Sequence, residues 1–143
     1  MDDQLRQAIL APRAIALVGA SNDPRKNTAR PQRFLRKHGF AGQLFPVNRQ
    51  QSTVLGEPAF PSINDIEGSI DHAIIMVPTA SVHEAIEQCA AKRVPVATIF
   101  SDGFAEAGPA GREREAQLKA VARAGGVRLI GPNSIGLVNL TDR

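Results

Sequence analysis

Gly, Pro, Ser, Thr and Asn gather at five places in this 143-residue sequence: Gly19-Ala20-Ser21-Asn22-Asp23-Pro24, Asn48-Arg49-Gln50, Pro78-Thr79-Ala80-Ser81, Ser101-Asp102-Gly103-Phe104 and Gly131-Pro132-Asn133-Ser134-Ile135-Gly136. Such residues let a ligand approach the backbone closely and expose N–H donors, which suits holding phosphate better than breaking bonds. Arg25, Lys26, Arg30, Arg33, Arg36 and Lys37 bunch just after the first place. The cluster suits a phosphate-bearing small ligand, and its plainer reading is a solvated helix face. No Ser-His-Asp set, metal cluster or carboxylate pair stands at a recognisable spacing, so no catalytic or metal-ligating residue is assigned. Asp23 and Asp102 could meet at strand ends but are given no acid–base work. His38 reads as ending a helix and His72 as preceding a strand. His83, in the first turn of a helix, is the one histidine placed near the five segments. Solvating or capping roles suit all three. Cys89, the only cysteine, cannot form an internal disulfide or a multi-cysteine zinc site and reads as a small buried side chain.

Two of the segments bear on the ligand. The first lacks the full G-x-G-x-x-G dinucleotide fingerprint: Gly19 is present, and Ser21 stands where the second Gly would be. An ordinary tight turn explains a single Gly equally well. The second holds Asn48 and Arg49 where NAD-binding domains place an Asp or Glu for the ribose 2′-hydroxyl. An acid would repel a ribose phosphate, whereas Arg can pair with one. That points to NADP or to coenzyme A with its 3′-phosphate, unless Arg49 is merely exposed.

The elements that position these segments follow from the apolar pattern. Short apolar runs at Ala14–Val18, Leu44–Val47, Ala73–Val77, Val96–Phe100 and Val127–Ile130 lack clean alternation, as strands covered on both faces do. Helix signals lie at residues 3–10, from Pro31 to Gly39, at 62–67 with Ser62 and Asp65 in cap spacing, from the Ser81-Val82-His83-Glu84 capping box to Lys92, and from Pro109 to Ala124. Strand–helix alternation predicts an α/β, Rossmann-like three-layer domain over residues 1–143, with a five-stranded, mainly parallel sheet. Each of the five segments then follows a strand, and ligands of such sheets bind beyond the strands' carboxyl ends.

Composition narrows the classes. Hydrophobic residues make up 43% of the chain, Trp and Tyr are absent, and net charge is +3. Aliphatic side chains must fill the core. The mildly basic balance lacks the dense basic face of a nucleic-acid binder. No apolar run nears the length that spans a membrane, and the acidic start is no signal peptide, so a cytoplasmic location is expected.

Val18-Gly19-Ala20-Ser21, Phe45-Pro46-Val47-Asn48, Ile75-Met76-Val77-Pro78, Asp102-Gly103-Phe104 and the segment from Gly131 to Gly136 occur in order and together resemble the CoA-binding domain of ADP-forming acetyl-CoA synthetases. The α subunit of succinyl-CoA synthetase and multidomain acyl-CoA synthetases or protein acetyltransferases are similar. The resemblance runs from about Pro12 to Asn139 and implies a CoA- or acyl-CoA-binding module of an NDP-forming acyl-CoA synthetase. Such enzymes pass the acyl group by way of a phosphohistidine domain and an ATP-grasp domain, which would be partners of this one, and the chain alone would not be catalytic. The resemblance implies roles by position. The loop from Gly19 through Ala20 and Ser21 to Lys26 would cradle the CoA diphosphate, and Asn48 with Arg49 would approach the adenosine end. Val77, Pro78 and Thr79 would line the adenine and pantetheine groove. Ser101, Asp102 and Gly103 would contact pantetheine amides or adenosine, and Asn133 and Ser134 would lie nearer the thiol. Gln50 stands where relatives often have Lys, Thr28 where many have Gly, and Ser134 where Cys is frequent. An NADP-binding oxidoreductase domain and a nucleotide-sensing regulatory module are the competing readings.

Overall fold

The computed structural model describes residues 3–138 and Leu140. Helix α1 (Asp3–Leu10) leads into strand β1 (Ala14–Val18), followed by α2 (Arg30–Lys37) and β2 (Gln43–Val47). A small hairpin, β3 (Thr53–Val54) and β4 (Glu57–Pro58), precedes β5 (His72–Ile75). Helix α3 (Thr79–Ala91), β6 (Val96–Ile99), α4 (Pro109–Ala124) and β7 (Arg128–Ile130) complete the order. The five long strands form one parallel sheet in the order β2-β1-β5-β6-β7. The chain therefore works outward from β1 to β2, then returns to the other side of β1 at β5, and the order reverses between those two strands.

The apolar runs explain the layers. All five residues of β1 are buried, as befits a central strand. Ala16, Val18, Ala73, Ile75, Ala97 and Ile99 pack with Val82, Ile86, Cys89, Leu118 and Ala122 of α3 and α4 in the larger core cluster. Ile15, Leu17, Leu44 and Met76 meet Leu35, Phe40, Val54 and Leu55 in a second cluster. Small alanines in the strands admit close helix packing on the first side. Pro46 is tolerated because β2 is an edge strand.

The five strands and the four α-helices match the sequence expectation, with three local corrections. First, α3 starts at Thr79: Pro78 is its N-cap, no side chain caps it, and Ser81 lies inside, so the capping box does not form. Extended backbone at Pro78 feeds the helix directly, and the Ser81 amide donates to the Pro78 carbonyl at 2.8 Å. The Ser62 cap does form, with its hydroxyl accepting from the Asn64 amide at 3.1 Å. Second, α2 starts one residue before Pro31. Third, the β3–β4 hairpin was not foreseen, because Leu55-Gly56 lacks the usual Asn-Gly signal. Both residues have positive φ, 49° and 82°, as a two-residue mirror-image turn requires. Asn22 holds Leu55 in this strained form by accepting its amide hydrogen at 2.8 Å.

Candidate functional site

The five loops after β1, β2, β5, β6 and β7 share the carboxyl-end rim of the sheet, and backbone bonds stitch them in spatial order. The Gly19 amide donates to Val47 O at 3.0 Å, Met76 to Val18 O at 2.8 Å, Phe100 to Ile75 O at 3.0 Å and Ser134 to Ile99 O at 3.1 Å. Side chains add cross-links. Asn48 donates from Nδ2 to Ala20 O at 2.9 Å, while its Oδ1 accepts from the amides of Gln50 and Gln51 at 2.8 and 3.0 Å. The Ser101 hydroxyl donates to Val77 O at 2.5 Å, and the Thr79 hydroxyl to Asp102 O at 2.9 Å. Such a rim is rigid before any ligand arrives.

Two clefts open on this rim. The smaller, about 250 Å³, lies between the first three loops and α3, and is lined by Gly19, Asn48, Arg49, Pro78, Ser81 and Gln88 among others. The larger, about 1370 Å³, lies toward α2 and the later loops, with Lys26, Thr28, Met76, Ser101, Asp102 and Ser134 in its wall. Val77 and Pro78 belong to both walls, so this short ridge divides them. The ridge sits at the end of β5, beside β1, where the strand order reverses.

The sequence-predicted residues divide accordingly. Gly19, Asn48 and Arg49 face the smaller cleft, and Lys26, Thr79, Ser101, Asp102 and Ser134 face the larger. Ala20, Ser21, Gly103 and Asn133 line neither. Ala20 is fully buried beneath the rim. Ser21 accepts the Asp23 amide hydrogen at 3.1 Å, the Gly103 amide donates to Glu106 at 2.6 Å, and the Asn133 amide donates to Ser101 O at 3.0 Å. The last three hold their loops through these bonds.

Charge is unevenly placed. Lys26 and Arg30 face the larger cleft and make no ion pair among the described residues. Arg49 instead pairs with Glu84 of α3, Nη2 to Oε1 at 2.5 Å. Asp23 does not meet Asp102. Its carboxylate accepts from Arg25, whose guanidinium holds it below the usual carboxylate range. The N-terminus of α3, at the ridge, adds positive partial charge to the rim. Among the described residues no group of three or more His, Cys, Asp or Glu could hold a metal ion.

The histidines require correction. His38, not His83, reaches a cleft: it lines the larger one, stacked on Phe34 with centroids 6.2 Å apart. His83 sits 3.6 Å from Glu87 and lines neither cleft. His72 lies within β5, buried, with Nδ1 3.1 Å from Ala8 O and Nε2 2.7 Å from the Thr98 hydroxyl. The basic cluster read from the sequence includes Arg30, but that reading missed Phe34 and His38, which join Arg30 as one stripe facing the larger cleft. Their i, i+4, i+8 spacing, from the first residue of α2 to its C-cap, was the available signal. No helix of the described residues is long and apolar enough to cross a membrane.

Comparison with known proteins adds an independent line. The sequence matches the CoA binding domain family over residues 13–139. It is 38% identical over 128 residues to the α subunit of acetate–CoA ligase (ADP-forming) II of Pyrococcus furiosus, covering 90% of this chain and 28% of that one. It is 32% identical to the 4-hydroxybutyrate–CoA ligase (ADP-forming) of Nitrosopumilus maritimus, covering 94% and 19%. Among solved structures, the apo acetyl-coenzyme A synthetase 1 of Candidatus Korarchaeum cryptofilum superposes with a TM-score of 0.84 at 34% identity, over 90% of this chain and 28% of that one. A hypothetical protein from Pyrococcus horikoshii superposes at 0.69 and 25% identity, over 92% of this chain and 84% of its own. The chain thus spans less than a third of the ligases it matches, yet most of that small protein.

Proposed function

The chain belongs to the CoA-binding domain family, and from that membership we propose that it binds coenzyme A or an acyl-CoA along the rim, as one module of an NDP-forming acyl-CoA synthetase or a related acyltransferase. The observation that carries the reading is the Val77–Pro78 ridge, with a cleft on each side at the reversal of strand order. Coenzyme A is long and flexible, with a phosphorylated adenosine at one end and an amide-rich arm at the other. Arg49 would meet the ribose phosphate in the smaller cleft. Lys26 and Arg30 would offset the diphosphate, and Met76, Val77 and Phe34 would flank the arm, whose thiol would lie toward Ser134. Two cations that make no ion pair among the described residues, with apolar walls in the same cleft, fit such a molecule. Gly19, Ala20, Ser21, Asn48, Thr79, Gly103 and Asn133 would act chiefly by shaping the loops.

The chemistry of acyl transfer would come from partner domains, a phosphohistidine domain and an ATP-grasp domain, in the cytoplasm. Titration calorimetry with coenzyme A, NADP and NAD tests the proposal. Coenzyme A is expected to bind and both dinucleotides to bind more weakly; tighter binding of NADP would overturn it.

A further inference from the structure

The Arg49–Glu84 pair joins Arg49, in the wall of the smaller cleft, to a residue of α3 one position before the wall residue Ala85. Arg49 follows β2 and Glu84 stands in the second turn of α3, so the contact joins two sides of that cleft. Glu84 is held in place: its Oε1 also accepts from Gln88 Nε2 at 3.3 Å, and Gln88 Oε1 accepts from the Ser62 hydroxyl at 2.9 Å. Arg49 is the one charged residue in that cleft's wall among the described residues, with neutral Gln50 beside it. Its charge is therefore already matched. A phosphate that comes to the guanidinium meets a carboxylate of its own sign, already bonded to Nη2, and competes with it for the same charge. A ribose carrying only hydroxyls meets no such competition.

We infer that Glu84 is a specificity-determining residue of the adenosine end: an internal counter-ion that competes with the ligand's ribose phosphate for Arg49 and so flattens the preference for coenzyme A over dephospho-coenzyme A. The inference rests on the coenzyme reading above. The pair is substantially exposed, at 65% and 50% of the two side chains, so the competition is modest and screened by salt.

The test is a calorimetric titration of the wild type and Glu84→Gln with coenzyme A and with dephospho-coenzyme A, at low salt and at about 0.5 M salt. Gln keeps the shape and hydrogen bonds of Glu84 but not its charge, and a matching unfolding midpoint verifies the fold. Coenzyme A is expected to bind the variant about two- to fivefold more tightly, as an exposed ion pair allows. Dephospho-coenzyme A is expected to be unchanged, and the difference to shrink at high salt. An equal gain for both ligands, or no gain for coenzyme A, overturns the inference while leaving the coenzyme reading intact. A wild type that binds neither ligand overturns both, and that is seen before any variant is made.

Discussion

A Cβ placed on Gly19 would lie 2.8 Å from the carbonyl oxygen of Met76. The two residues follow the adjacent parallel strands β1 and β5, and Gly19 holds φ at +88°. Any side chain there meets both backbone strain and a neighbouring strand. Gly19→Ala is expected to lower stability by about 2–4 kcal/mol, from left-handed strain and overpacking together. Urea unfolding measures it; an unchanged midpoint would show that β1 and β5 part freely at this point.

Asn48 bridges the first two loops from the donor side and caps its own loop from the acceptor side. Asn48→Ala removes all three bonds, and a loss of about 1–3 kcal/mol is expected. Asn48→Asp keeps an acceptor for Gln50 and Gln51 but sets a charge against the Ala20 carbonyl. Hydrogen exchange should show both loops opening faster in both variants, and unaltered exchange would reject the bridging role.

Arg49→Glu sets two carboxylates side by side next to the smaller cleft, where Arg49 now pairs with Glu84. Coenzyme A binding is expected to weaken by about 1–2 kcal/mol, reduced from the buried-pair value by solvent screening. If calorimetry finds the affinity unaltered, another cation, such as Lys26, meets the phosphate.

His72 gives the fold a pH dependence. Burial holds its pKa below the ordinary value of 6.5 despite the Ala8 carbonyl and Asp71, which pull the other way. In the neutral ring Nδ1–H donates to Ala8 O, leaving Nε2 to accept from the Thr98 hydroxyl. The unfolded chain takes up a proton below pH 6.5 while the folded ring resists it. Stability from this site is therefore complete above 6.5 and falls as pH drops toward the folded pKa, by at most about 1.4 kcal/mol per pH unit. Denaturant titrations from pH 7.5 down to about 5 read the slope, which His72→Asn should flatten.

Cys89 is buried in α3, and burial pushes its thiol up to about 12. A colorimetric disulfide reagent should leave it untouched in the native protein and modify it once denaturant is added. Rapid reaction under native conditions would show that α3 detaches readily.

The strands were legible because fully covered strands lack alternation, and β1 is buried along its whole length. Strand–helix alternation in a parallel sheet then placed the five loops on one rim without knowledge of any side chain. What escaped the sequence was the work the loop residues do for each other. Asn48, Thr79 and Ser101 look like ligand donors by type, yet their polar atoms are occupied by Ala20, Asp102 and Val77. Such pairings depend on distances between residues some twenty or more positions apart, which neither type nor spacing encodes. The Arg49–Glu84 contact escaped for the same reason. The apparent Ser81–Glu84 box misled, because Pro78, not Ser81, is the N-cap and the helix starts three residues early.

The shared wall of Val77 and Pro78 has a geometric consequence for any occupant. A molecule that fills both hollows must drape across a saddle, with a joint at its crest and two arms of different character. A stiff or compact nucleotide would then seat only one arm. If coenzyme A binds along this rim as proposed, the saddle would sort ligands by where they fold, ahead of any selection by charge.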